Sequence, residues 1–164
     1  KECDLSDSVR SRCKFIDCDF INCNLSVLRI DYSKFSDVSF DNCKVIGVDW
    51  TKADWPNLAL ASPVKFKQCI INDSSFFGLS LEEITIESCK AHSVDFREGN
   101  FSEADFSYTD LSNSLFNNCN LSGANFTEAS HYDIDIYNNV IKRAIFSRHE
   151  AVGLLNSLEI ELVD

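Results

Sequence analysis

Methionine is missing from this 164-residue chain, and glycine (5) and proline (2) are scarce. Nothing in it forms a Gly-rich loop able to cradle a phosphate. No apolar run is long enough to span a bilayer, and no charged-then-apolar leader opens the chain. Neither membrane association nor export is therefore expected, and a cytoplasmic location is. Positive charge is also in short supply: 15 Lys and Arg stand against 26 Asp and Glu, a formal charge of -11. That sign discourages contact with nucleic-acid backbones or anionic lipid and favours a basic partner. No basic stretch of the nucleic-acid-binding kind appears, so direct nucleic-acid binding is not expected.

Catalytic signals are equally thin. The three histidines, His92, His131 and His149, have no Ser or Cys beside them in an arrangement suited to nucleophilic attack. Carboxylates are scattered rather than paired for acid–base work. The sequence names no catalytic, cofactor-binding or metal-binding residue, and an enzyme is not expected.

What is present is a folded composition, 45% apolar and 25% charged, with 13 Phe and 8 Cys. The phenylalanines keep a strict beat. Phe96, Phe101, Phe106, Leu111, Phe116, Leu121 and Phe126 are spaced by five, and Gly99, Ala104, Thr109, Ser114, Cys119 and Ala124 stand two residues before the last six. Val94 holds that place before Phe96. A period of five fits neither a helix nor a strand, so the chain must be read as a repeat.

The cysteines obey the same rule. Cys3, Cys13, Cys18, Cys23, Cys43, Cys69, Cys89 and Cys119 all occupy the small-residue place, which elsewhere holds Ser, Ala, Val or Leu. Small buried filler accounts for that placement better than a metal ladder or a disulfide framework. No His lies near Cys13–Cys23, and the short C-x-x-C spacing of zinc sites is absent.

Taken from the start, the centres run Leu5, Arg10, Phe15, Phe20, Leu25, Ile30, Phe35, Phe40, Val45, Trp50, Trp55 and Leu60. They resume one residue out of step at Phe66, beside Pro63, which reads as a local one-residue bulge in a continuous solenoid. A trial coil of twenty residues groups the centres into three columns. One runs Phe15, Phe35, Trp55, Phe76, Phe96, Phe116 and Ile136. A second runs Phe20, Phe40, Leu60, Leu81, Phe101, Leu121 and Ile141, and a third Arg10, Ile30, Trp50, Ile71, Ala91, Leu111 and His131. Asp, Asn and Ser flank the centres, as suits turns and a wet surface.

The grammar changes at Ser147. Ser147 and Glu150 are spaced as a capping box, and Ala151, Leu154, Leu155 and Leu158 form a helical stripe. Glu159–Asp164 alternates as a half-buried strand does. Residues 1–146 are thus expected to form the solenoid, and 147–164 a capping α-helix and strand that meet a second subunit.

Units such as CDFIN (Cys18–Asn22), ADFSY (Ala104–Tyr108), CNLSG (Cys119–Gly123) and ANFTE (Ala124–Glu128) resemble the pentapeptide-repeat family over nearly the whole chain. The resemblance implies an all-β solenoid: a right-handed quadrilateral β-helix of about seven four-sided coils. Within that family, the tail HEAVGLLNSLEIELVD and the irregularities at Gly47–Trp50 and Pro63 look like the Qnr- and MfpA-type quinolone-resistance proteins. That likeness implies a homodimer joined at the C-terminal ends through Leu154, Leu155, Leu158, Ile160 and Leu162. It also implies an acidic, DNA-like rod that binds DNA gyrase or topoisomerase IV. Candidate partner-facing residues are Asp95, Glu98, Glu103, Asp105, Asp110, Glu128, Asp133 and Asp135. Only one surplus residue is counted, leaving no room for the projecting loops several Qnr proteins use to protect gyrase. A scaffold or interaction module with an unrelated partner is the other reading.

Overall fold

The structure is a computed structural model describing residues 1–56, 62–161 and 163. Its core follows from the five-residue unit. The small residue and the centre point inward, and the residue two places after the centre turns the corner with positive φ. Asp7, Arg12, Asp17 and Asn22 do so in the first coil, at φ between 48° and 55°. Asp and Asn tolerate this left-handed conformation better than most residues. Just before the centres, side chains such as Asp4, Asn24, Asp49, Asn100 and Asn120 accept the N–H two residues on, tying each corner.

Successive coils stack in parallel. Strands β1 (Lys14–Ile21), β2 (Lys34–Asp41), β3 (Val64–Lys67) and β4 (Thr85–Glu87) form one sheet in that order, and β5 (Asn125–Phe126) pairs with β6 (Ile145–Phe146). Single parallel bridges link Asp4, Asn24, Lys44, Ile70, Lys90, Asp110 and Ser130 up one face. Those six steps make about six turns, and a partial seventh coil runs on to Phe146. Aromatic rings fill the interior in columns. Phe20, Phe40 and Phe66 stack at 5.2 and 4.9 Å, Phe106, Phe126 and Phe146 at 5.1 and 5.0 Å. A second column of Trp50, Phe76, Phe96 and Phe116 meets the first edge-on, as at Phe96–Phe106.

The register corrects the expected bulge. In the neighbouring coils stacked residues are twenty apart, but Cys43 donates its N–H to Cys69 Sγ across 26 residues, and Phe40 pairs with Phe66. The third coil therefore carries six surplus residues, not one, between Trp55 and Val64. A count of fives cannot tell these apart, because one and six leave the same remainder. Leu60, expected above Phe40, lies outside the described residues, and Phe66 holds that place. All three expected columns change partners beyond the third coil: Trp50 stacks on Phe76 rather than Ile71.

The end of the solenoid also departs from expectation. Phe116 pairs with Ile134, eighteen residues on, so Tyr132 and Ile134 are buried while His131 is exposed and Ile136 half-buried. Glu150–Leu158 is a 3₁₀ helix rather than an α-helix. The capping box does not form, because Ser147 Oγ is engaged with Glu128, donating to its carboxylate (2.9 Å) and accepting its N–H (2.7 Å). Glu159 turns left-handed at φ 52°, and Ile160, Glu161 and Val163 are not in a strand. A final strand would need a neighbour for its N–H and C=O groups, and this segment pairs with none among the described residues. Leu162 and Asp164 lie outside those residues. No helix of the described residues is long and apolar enough to cross a membrane.

Candidate acidic interface

Stacking at a fixed register turns corner residues into rows. The corner between the Phe15 face and the Phe20 face carries Asp17 and Asp37 in the first two coils, and Glu83 and Glu103 in the fourth and fifth. All are exposed, at φ of 48°, 48°, 58° and 56°. The six surplus residues enter the chain at this same corner of the third coil. Asp54 and Glu82 lie on one side of the row, and Asp19, Asp41, Glu87 and Asp105 on the other.

Lysines on the flanking faces offset part of this charge. Lys34 pairs with Asp54 (3.0 Å), Lys65 with Asp37 (3.4 Å) and Lys67 with Glu87 (2.8 Å). These pairs are largely exposed, so each adds little to stability and weakens with salt. Beyond Glu103 the corner continues as Gly123 and then Arg143, with Lys142 beside it, so the acidic row ends short of the last coil.

The carboxylates singled out from the sequence are divided by the fold. Glu103 belongs to the row and Asp105 lies beside it. Asp95 is on another face, held by Arg97 at 2.9 and 2.8 Å, which keeps its carboxyl below the usual range. Glu98 is at the next corner. Asp110 sits between His92 (2.8 Å) and His131 (3.0 Å). Burial pushes its carboxyl up, but bonds from Ser112 and the two histidines more than offset that and hold it well below the usual range. Glu128 is tied to Ser147, Asp133 is exposed in the last coil, and Asp135 accepts the Tyr137 N–H at 2.7 Å. Asp17, Asp37, Glu82 and Glu83 were not singled out from the sequence. Asp17, Asp37 and Glu83 stand in the corner place of the repeat and Glu82 beside it, but the row appears only at the true offset of 26.

At the C-terminal end, Leu154 packs against the core, while Leu155 and Leu158 are half-buried and Ile160 is 53% exposed. Tyr137, Val140, Ile145, Val152 and Val163 add exposed apolar surface to the same end of the chain.

A parallel solenoid with an aromatic-filled interior and an acidic row along one outer corner defines the class, a repeat protein built of stacked coils. The pentapeptide repeat region model matches residues 1–62 and 55–126, and the chain belongs to the pentapeptide-repeat family. Two solved structures of QnrB1, a plasmid-mediated fluoroquinolone resistance protein, have a similar fold. A trypsin-treated form superposes with TM-score 0.72 at 19% identity, covering 99% of this chain and 87% of that one. The full-length form gives 0.67 at 18%, covering 97% and 86%. Among curated proteins, no sequence matches this chain.

Proposed function

We propose that this protein is a non-enzymatic, acidic DNA mimic that binds DNA gyrase or topoisomerase IV in the cytoplasm and lowers quinolone sensitivity. The row Asp17, Asp37, Glu83 and Glu103 carries this reading. It sets fixed negative charge at coil spacing along one edge, complementary to a basic DNA-binding groove. Likeness in fold to QnrB1 supports it. Two chains joined at their apolar C-terminal ends would carry a net charge of about -22, twice the formal value of one, and meet a basic partner faster at low salt. The six surplus residues restore room at the acidic edge for a segment that contacts the enzyme, which a one-residue bulge would not.

Titration of purified gyrase in a supercoiling assay, with and without ciprofloxacin, tests the proposal. Expected are inhibition at high protein, relief of the drug-poisoned state at lower protein, and binding that weakens with salt. Absence of all three at low salt would sink it. A scaffold role with an unrelated basic partner is favoured by one observation: the edge turns cationic at Lys142 and Arg143 instead of continuing acidic towards the proposed dimer.

A further inference from the structure

All eight thiols are free, and five of them share one column. The N–H of Cys3, Cys23, Cys43 and Cys69 each points to the sulfur one coil on, at 3.3–3.4 Å. Three thiols are half-buried rather than buried: Cys3, Cys13 and Cys18. Their stacked neighbours differ. Cys13 donates its N–H to Ser33 Oγ and Cys18 pairs with Val38, whereas Cys3 Sγ lies 2.7 Å from Cys23 Sγ.

We propose that Cys3 and Cys23 are a site of reversible oxidation, forming a disulfide between adjacent coils with a low-molecular-weight disulfide such as oxidised glutathione as oxidant. The backbones are already paired on both sides of the site, Leu5 N–H to Asn24 O at 2.7 Å and Asn24 N–H to Cys3 O at 2.9 Å. Parallel strands stand roughly 4.8 Å apart, inside the span that a disulfide bridges, so closure needs little backbone movement.

The Cys3 thiolate attacks one sulfur of the small disulfide, whose S–S bond breaks. A mixed disulfide forms on Cys3 and one small thiol leaves. Cys23 then loses its proton to solvent and attacks Cys3 Sγ, displacing the second small thiol. Two protein thiols become one disulfide while one small disulfide becomes two thiols. The hydrogen bond to Cys23, with burial, holds the Cys3 thiol above its ordinary pKa, so the first step quickens as pH rises.

The test exposes the full chain to graded ratios of oxidised to reduced glutathione, followed by acid quench, alkylation and peptide mapping. Cys13 and Cys18 should accumulate as mixed disulfides, while Cys3 appears in a Cys3–Cys23 linked peptide that a dithiol reductant reverses. In Cys23→Ser the Cys3 mixed disulfide should persist; serine already fills the equivalent place at Ser33, so the fold tolerates it. Oxidised wild-type protein should melt higher than reduced, with no such gain in Cys23→Ser. The proposal is overturned if wild-type Cys3 stays free, stays a mixed disulfide like Cys13, or links to a second chain.

Discussion

At the residue scale, close stacking leaves no slack around Gly99. A Cβ on Gly99 would run into the Phe101 ring and the Phe96 carbonyl. Overpacking of this kind costs roughly 1–3 kcal/mol. Gly99→Ala should therefore destabilise the fold by that amount and lower its denaturation midpoint, while Gly78→Ala meets no atom and loses only from its positive φ. Buried titratable groups set the alkaline limit. Tyr132 is pushed up to about 12 by burial, with the Glu150 charge adding to it. For Cys69, a bond with Cys43 lowers the pKa, but one with Cys89 and burial outweigh it and leave it at about 12. Unfolded Cys and Tyr lose protons at about 8.5 and 10. The unfolded state thus releases protons first, and this stability is full below about pH 8.5 and lost as pH rises towards 12. Urea midpoints should fall across that window, and Tyr132→Phe should flatten the part above about pH 10.

Two elements are open to direct test. Removing residues 58–63 would join Asn57 to Val64 and restore a uniform twenty-residue coil, with Asn at the left-handed corner. Melting should be unchanged or slightly raised, since closing a shorter connection costs less entropy. Loss of gyrase protection with retained melting would assign protection to that segment; unfolding would refute the six-residue register. The tail offers the second test. Leu155 is half-buried in a 3₁₀ helix beside exposed Val152 and Ile160. Leu155→Asp should give a monomer by light scattering where the parent is a dimer, and an unchanged mass would refute assembly through this end. A short helical element at the C-terminal end was legible in the sequence. The missing capping box was not, because Ser147 is engaged with Glu128, a residue nineteen positions away that only stacking brings near.

For the whole molecule, charge distribution decides the partner. Replacing Asp37, Glu83 and Glu103 together by Lys reverses three of the four carboxylates of the acidic row without touching the core. Binding to gyrase should fall by about tenfold or more and lose much of its salt dependence. Equal loss from reversing Asp95, Glu98 and Asp133, on other faces, would show that net charge alone matters.

By itself the sequence determined that the chain is a repeat, because a period of five fits neither a helix nor a strand, and the likeness of its units to the pentapeptide-repeat family implied the four-sided solenoid. Within the regular coils it also determined which residues face inward, since those places follow locally from the repeat. Only the tertiary structure decided which coil stacks on which. Offset is known from sequence modulo five, and the choice of 26 over 21 belongs to ring stacking and backbone pairing between residues far apart, as at Phe40–Phe66. Continuation of the acidic row from Asp37 to Glu83 is a product of that stacking, whereas Cys3 beside Cys23 already follows from a twenty-residue coil.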